Sequence, residues 1–318
     1  MSPSLLTIDH LHPEHGRTVL INWTLGNKCN YFCSYCPAEL HSGSSGWPQF
    51  EPLLSFCDRL IAHYREVRRA LRFQFTGGEP TLYRHFPDLV KHLKHEGCEV
   101  SLISNGSRRL NWWKEVCPSL DGVVLTHHIE FADFSRFAEV TKFLSEHVAT
   151  HVNVAMLPTR FEECFAEAIR LTEDCPHITL TLKPLLIDFG AEMYAYSELQ
   201  KEIMRTYNSP RTSVENGNAF RAKMRKSYSD HTVEVSTGSR FILDHENRWT
   251  SWTCHVGLEL LVVNAKGEVY RGTCRQGGRL GHIFDDSITF PVTPVICSQE
   301  ICHCLVDIMT TKIAAPVG

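Results

Sequence analysis

Gly26-Asn27-Lys28-Cys29-Asn30-Tyr31-Phe32-Cys33-Ser34-Tyr35-Cys36-Pro37 places three thiols in the order Cys-x3-Cys-x2-Cys. Thiolates ligate iron–sulfur clusters, and a cubane has four irons to satisfy. Three thiolates leave one iron without a protein ligand, and a small molecule with an amine and a carboxylate can chelate it. The same trio suits half of a zinc site, so the spacing needs a second signal. Phe75-Thr76-Gly77-Gly78-Glu79-Pro80 supplies one, about 40 residues downstream. Both motifs follow strand-like runs. Glycine lets a backbone approach a ligand closely, and a carboxylate pairs with an amine.

Working outward, six short β-branched runs alternate with amphipathic stretches. The strand candidates are Thr18–Trp23, Leu71–Phe75, Glu99–Ile103, Val123–Thr126, His151–Leu157 and His177–Leu182. Helices are predicted over Glu51–Arg69, His85–His95, Ser135–His147 and Phe161–Glu173. In the second of these, Phe86, Leu89, Val90 and Leu93 fall at i, i+3, i+4 and i+7. Such strand–helix repeats imply parallel strands with right-handed crossovers. The fold class read here is α/β, a partial (β/α)6 TIM-like barrel over residues 1–186. In a barrel, active groups gather at the C-terminal strand ends. Polar residues recur there: the cysteine loop, Gly77–Pro80, Ser104–Arg108, Thr126–Glu130, Met156–Arg160 and Lys183-Pro184.

Residues 187–230 read as a helical linker broken at Asn208-Ser209-Pro210. From 231 onward strands are expected at Thr232–Val235, Arg240–Leu243, Glu259–Val263 and Val269–Arg271, with a hairpin turn at Asn264-Ala265-Lys266-Gly267. Five cysteines, Cys254, Cys274, Cys297, Cys302 and Cys304, lie in this part.

The chain has 318 residues, 43% of them hydrophobic, which is enough for a large domain and a small one. A net charge of −4 argues against a dedicated nucleic-acid surface. No apolar run is long enough for a membrane span. The start, Met1 to Leu6, has neither a basic n-region nor a long apolar h-region, so a cytoplasmic location is expected. Thirteen cysteines in such a chain point to metal ligation rather than disulfides. Cys57, Cys98, Cys117, Cys164 and Cys175 are scattered and read as small buried apolar residues.

The two motifs together resemble those of the radical S-adenosylmethionine (radical SAM) enzymes, and Tyr35 before the third cysteine matches as well. The resemblance implies a [4Fe-4S] cluster on Cys29, Cys33 and Cys36, whose open iron is chelated by S-adenosylmethionine. One electron then cleaves the sulfonium to methionine and a 5′-deoxyadenosyl radical, which abstracts hydrogen from a substrate carbon. It assigns the methionyl amine to Gly77, Gly78, Glu79 and Pro80. Ser104 and Asn105 fall to the ribose or amino-acid part and Tyr35, through its backbone, to the adenine, while Thr126 matches a cofactor-binding position where the family often has a hydroxyl. Ser104-Asn105-Gly106 also reads as an ordinary turn. Residues 231–318 resemble the SPASM/twitch extension of this family. Five cysteines suit its shorter, twitch form with one auxiliary [4Fe-4S] cluster, with Cys254 and Cys274 matching best and the remaining two ligands open among Cys297, Cys302 and Cys304. Four thiolates suit zinc equally well.

His127, His128, Glu130, Arg160 and Lys183 are the substrate-side candidates. Strand alternation puts His127 and His128 on opposite faces. His128, aligned with Thr126, is favoured as a catalytic group, with Lys183 as a holder of an anion. Trp112-Trp113 reads as packing of a short helix. The expected activity is oxidation or epimerisation of a small polar biosynthetic intermediate, such as a sugar or aminocyclitol. The electron donor would be of flavodoxin or ferredoxin type. A peptide maturase is the second reading, although only about 17 residues precede the first strand, so a leader peptide would need another binding partner. A non-catalytic iron–sulfur or zinc protein is the third.

Overall fold

The computed structural model of the protein describes residues 3–190, 192–208, 221 and 223–315. A nine-stranded sheet runs through it. Strands β1 (Thr18–Thr24), β2 (Ala70–Thr76), β3 (Glu99–Ser104), β4 (Gly122–His127), β5 (Ala149–Ala155) and β6 (Thr179–Lys183) pair in parallel and in chain order. Helices α1 (Phe50–Glu66), α2 (Phe86–His95), α3 (Leu110–Val116), α4 (Phe134–His147) and α5 (Phe161–Asp174) make the crossovers. The fold is α/β. Strands covered on both faces are apolar throughout, and β4 is buried at every position. The helices turn one stripe to the sheet: Leu53, Phe56, Cys57 and Leu60 on α1, and Phe86, Leu89, Val90 and Leu93 on α2. Asp133 starts α4 by accepting from the Arg136 amide. Such a cap contributes about 1 kcal/mol. Cys57, Cys98, Cys117, Cys164 and Cys175 all lie in this core. Trp113 is buried, with Trp112 edge-on to it and tilted against Phe86 of α2.

The hairpin at Asn264–Gly267 joins β7 (Leu260–Val263) to β8 (Glu268–Tyr270). Asn264 Oδ1 accepts from the Lys266 and Glu268 amides, and Gly267 takes φ +82°. β7 lies parallel along β1, with Leu260 opposite Leu20 and Val263 opposite Trp23. β9 (Arg279–His282) then pairs with β8 at the sheet edge. The C-terminal hairpin therefore continues the same sheet as the first strand.

A second, six-stranded antiparallel sheet ties the chain ends together. Its order is Val295–Ile296, Thr253–Cys254, Lys312–Ile313, Leu5–His10, Lys223–Tyr228 and Val233–Thr237. Only Val233–Thr237 answers to a strand expected from sequence; Leu5–His10, Thr253–Cys254, Val295–Ile296 and Lys312–Ile313 were not expected, and Lys223–Tyr228 falls within the stretch read as a helical linker. That stretch does carry one helix, α6 (Glu198–Tyr207), opened by a capping box of Ser197 and Gln200. The expected break at Ser209-Pro210 lies outside the described residues, as do residues 191, 211–220 and 222 of the linker.

Arg240–Leu243, expected as a strand, is helical within Gly238–Leu243. Three apolar residues in a row, Phe241 to Leu243, fit either state. The Thr237 hydroxyl decides it by accepting from the Arg240 amide, and Phe241, Ile242 and Leu243 are buried.

Candidate active site at the strand ends

The loops after β1 and β2 are locked together through their backbones. The Gly78 amide donates to Gly26 O at 2.9 Å, and the Glu79 amide donates to Lys28 O at 2.8 Å. A Cβ on Gly77 would stand 2.3 Å from Gly26 O, and one on Gly78 would stand 2.2 Å from Lys28 O. The close approach that requires glycine here is thus to the cysteine loop itself. Gly77 also holds φ +133°, which other residues rarely adopt.

Glu79 is fully buried. Its Oε1 accepts from the Thr81 amide and hydroxyl and from Ser104 Oγ, at 3.1, 2.6 and 2.8 Å. Its Oε2 accepts from the Asn105 amide at 2.7 Å. Burial pushes the carboxyl pKa up, and these donors oppose the rise. One carboxylate therefore clamps the third strand end to the second. Pro80 opens the short turn Pro80–Leu82 that carries Thr81.

Asn105 reaches back to the cysteine loop, where its Nδ2 donates to Asn30 Oδ1 at 2.9 Å and to Cys29 Sγ at 3.8 Å. The Tyr31 amide also donates to Cys29 Sγ, at 3.3 Å. Beside these groups lies a cavity of about 150 Å³, lined in part by Asn30, Tyr31, Asn105, Ser107, Phe131 and Arg136. Thr126 is buried at the end of β4.

The fourth strand end holds the other side of the cysteine loop. Tyr35 Oη lies 2.7 Å from His128 Nδ1, and the two rings stack at 5.9 Å. The Ser34 amide donates to Glu130 Oε2 at 2.7 Å. Tyr31 stacks on Phe131 at 5.6 Å. Glu130 is thus engaged in shaping the loop. Burial, with help from the Lys183 ammonium, pulls the His128 pKa down to about 3.

His127 points the other way, into the core against Phe134 and Phe137, with its ring 3.3 Å from the Glu167 carboxylate. Arg160 pairs with Glu163 and donates to Ile129 O, so it braces the same loop from outside.

Among the described residues, no group of three or more His, Cys, Asp or Glu side chains stands in metal-holding geometry. The donor chemistry of the loop fits a cluster all the same. Cys29, Cys33 and Cys36 are free and act on one another electrostatically. Burial pushes all three thiols up, Cys33 to about 12 and Cys36 to about 11. Such thiols need a cation to ionise, and N–H donors from Tyr31 and Asn105 already face Cys29 Sγ, the kind of hydrogen bond that orients a metal-bound thiolate.

Four of the five C-terminal cysteines feel the Asp307 carboxylate, and Cys254 Sγ lies 3.7 Å from Thr310 Oγ1. Burial raises the pKa of Cys274, Cys297, Cys302 and Cys304, and the Asp307 carboxylate adds to each rise. Cys254 acts on Cys274 and Cys297, while Cys302 feels both Cys304 and Cys274. Asp307 is buried and accepts from the Thr273 and Cys274 amides at 3.0 and 2.7 Å. No sequence pattern marks it. Lys183, at the end of β6, feels one thiol of each group. Burial lowers its pKa, and Cys304 and Cys36 oppose that.

Residues 23–172 match the profile of the Radical SAM superfamily. Through this segment the chain belongs to the radical SAM superfamily. Among curated relatives, the 7,8-dihydro-6-hydroxymethylpterin dimethyltransferase of Methanocaldococcus jannaschii is 34% identical over 104 residues, covering 32% of this chain and 20% of that one. The S-adenosylmethionine-dependent nucleotide dehydratase of Selenomonas ruminantium is 32% identical over 92 residues, covering 29% and 31%. A probable GTP 3′,8-cyclase of Saccharolobus islandicus is 28% identical over 142 residues, covering 43% and 44%. The chain therefore spans between a fifth and under half of the length of these relatives.

Two solved structures share the fold more widely. Streptococcus suis SuiB bound to precursor peptide SuiA overlaps 85% of this chain and 63% of its own at a TM-score of 0.55 and 12% identity. Native anSMEcpe with bound AdoMet overlaps 83% and 78% at a TM-score of 0.52 and 18% identity. At these identities the likeness is one of fold. No helix among the described residues is long and apolar enough to cross a membrane.

Proposed function

We propose that the protein reductively cleaves S-adenosylmethionine at a [4Fe-4S] cluster on Cys29, Cys33 and Cys36, and abstracts hydrogen from a small polar substrate that carries an anionic group. The observation that carries this reading is the backbone lock of the Gly77-Gly78-Glu79 loop onto the three-thiol loop, which sets Glu79 beside Cys29. When bound, the cluster supplies the electron that breaks the sulfonium bond.

The chain's own residues do the rest. Asn105 and the Tyr31 amide hold Cys29. Gly77, Gly78 and Glu79 form the wall for the methionyl amine, Ser104, Asn105 and Thr126 that for the ribose and carboxylate, and Tyr35 that for the adenine. Lys183 offers an ammonium to an anionic substrate group, and His128 lines the same side. Two relatives named for nucleotide chemistry are in keeping with such a substrate. In this reading β1–β6 form a partial barrel. Residues 231–318 form a twitch-type extension whose auxiliary [4Fe-4S] cluster draws on Cys254, Cys274, Cys297, Cys302 and Cys304. That cluster would take the substrate electron in an oxidation, and a flavodoxin or ferredoxin would reduce the first one.

Anaerobic reconstitution followed by dithionite and S-adenosylmethionine tests the reading. It predicts 5′-deoxyadenosine and about eight irons per chain, the content of two cubanes. Loaded protein that yields no nucleoside would favour a binding role instead. About four irons with zinc present would remove the auxiliary cluster. Lys183→Met is expected to leave nucleoside release intact while raising the KM for an anionic substrate; turnover of an uncharged peptide by this variant at the wild-type rate would favour the maturase reading.

A further inference from the structure

We propose that Asn153 and Thr181 are specificity-determining residues that hold the hydroxyl-bearing ring of a phosphorylated sugar, free or within a nucleotide, with its phosphate at Lys183. The proposal rests on the reading of the site given above and names its substrate class. The parallel sheet has two unlike faces. One carries Trp23, Phe75 and His127, whose rings meet Phe56 of α1, Phe86 of α2 and Phe137 of α4. That face is the helix-covered one, and the alternate residues of each strand take the other. Near β7 the second face is apolar and roofed, where Leu20, Leu260 and Val262 pack with Cys254, Val256 and Cys297. At β5 and β6 it is polar. A strand packed on both faces reads as a continuous apolar run. Here every second residue breaks the run: His151 and Asn153 on β5, and Thr179, Thr181 and Lys183 on β6, all half-buried.

The register sets these groups in rows. Thr126, Asn153 and Thr181 stand side by side on β4, β5 and β6, with about 4.8 Å from strand to strand. Val124, His151 and Thr179 form the row below, and Ala155 and Lys183 the row above. The lower row aims the middle one. His151 Nδ1 lies 2.7 Å from Thr179 Oγ1, and its Nε2 lies 3.2 Å from Asn153 Oδ1. An amide oxygen only accepts, so Nε2 is the donor and the Thr179 hydroxyl donates to Nδ1. Asn153 Oδ1 is thereby pinned, which leaves the amide NH2 to donate elsewhere. That group and the Thr126 and Thr181 hydroxyls make no hydrogen bond to any described residue, and none of them is sealed in the core. Thr126 belongs to the cofactor wall, so Asn153 and Thr181 continue that wall away from the cofactor. An amide donor beside a hydroxyl suits neighbouring ring hydroxyls, which both donate and accept. Two positions past Thr181, about 7 Å along the strand, Lys183 offers a point charge with three donors. That suits phosphate, whereas a carboxylate is better met by a guanidinium fork.

The test is equilibrium binding to the reconstituted full-length protein, with S-adenosylmethionine present. The probes are ribose 5-phosphate, the four ribonucleoside 5′-triphosphates, and their unphosphorylated counterparts. A phosphorylated probe is expected to bind: ribose 5-phosphate if the source is a free sugar phosphate, a triphosphate alone if the source is a nucleotide. Thr181→Val, which removes the hydroxyl at nearly constant shape, is expected to weaken that probe about three- to tenfold. Asn153→Asp keeps the acceptor that His151 needs but replaces the donor, and is expected to weaken it at least as much. Lys183→Met is expected to erase the advantage of the phosphorylated probe over its unphosphorylated counterpart, an advantage that Thr181→Val retains. Wild-type affinity in both Thr181→Val and Asn153→Asp overturns the proposal, and so does a wild-type protein that binds no phosphorylated probe. If Asn153→Asp does not fold, wild-type affinity in Thr181→Val alone overturns it. A protein that binds a phosphorylated probe through these residues yet forms no 5′-deoxyadenosine with dithionite supports the polar row as a ligand site and overturns the reading of the thiol loop, a distinct outcome.

Discussion

Cys29, Cys33 and Cys36 sit on one short loop, whereas Cys254, Cys274, Cys297, Cys302 and Cys304 are spread over some 50 residues. The first group is held from outside, by backbone bonds to Gly78 and Glu79 on one flank and by His128 and Glu130 on the other. The second group is drawn together by the meeting of the chain's two ends. Thr253–Cys254 pairs with Lys312–Ile313, which pairs in turn with Leu5–His10. Asp307 then bonds the Thr273 and Cys274 amides. One site depends on neighbouring strand ends of a single sheet, the other on long-range closure of a second sheet. Each can therefore be damaged without the other.

The largest expected effect is at Gly78. An alanine there drives a Cβ into Lys28 O. Gly78→Ala is expected to part the two loops, to abolish iron uptake by the N-terminal trio, and to cost on the order of 2–4 kcal/mol of stability. Iron analysis and thermal melting read both effects. Wild-type iron content would mean that the lock is dispensable.

On the other side, Lys312 is buried and donates to Asp307 O, Ile308 O, Thr310 O and Thr310 Oγ1, with its ammonium 4.4 Å from the Trp249 ring centre. Lys312→Met strands those acceptors at a cost of about 2–3 kcal/mol. Alkylation followed by mass spectrometry is expected to show faster labelling of the five C-terminal thiols and unchanged labelling of Cys29, Cys33 and Cys36. Equal acceleration at both groups would show that the two sites are not separable.

A smaller effect belongs to the scaffold behind the first site. Burial holds the His127 pKa down to about 4, below the unfolded value of about 6.5. The folded state therefore binds fewer protons between those values. The stability this contributes is complete above pH 6.5 and is lost as the pH falls toward 4. From pH 7 to pH 5 the loss is expected to be about 1–2 kcal/mol. His127→Phe is expected to flatten this part of the stability profile, and an unchanged slope would assign the acid sensitivity elsewhere.

The smallest effect sharpens the role of β6, which carries Lys183 at its C-terminal end. Asn208 covers this edge strand like a further strand would: its Oδ1 accepts from the Leu182 amide and its Nδ2 donates to Leu182 O. Asn208→Ala is expected to cost about 1 kcal/mol and to speed hydrogen exchange at Leu182. Unaltered exchange there would show that the edge is protected by other means.

How far the sequence shows all this follows from the same contrast. The parallel strands were legible because strand runs and helical stripes alternate, and the N-terminal thiols because their ligand spacing is local. The role of Gly77 and Gly78 as a backbone contact between loops was not, since only tertiary structure brings Gly26 and Lys28 beside them. Leu5–His10 and Lys223–Tyr228 are polar, interrupted runs that become strands by pairing with each other. Arg240–Leu243 is too short for its periodicity to outweigh the Thr237 cap. Asp307 carries no local signature at all, because its partners lie more than 30 positions upstream.

The central claim is that the Cys29–Cys36 loop holds the cluster that cleaves S-adenosylmethionine. Its most direct test compares 5′-deoxyadenosine formation by the reconstituted wild-type protein and by the Cys29→Ala, Cys33→Ala, Cys36→Ala triple variant, whose C-terminal thiols are intact. The account predicts nucleoside from the first, none from the second, and a loss of about four irons per chain. Nucleoside release by the triple variant at the wild-type rate would contradict it.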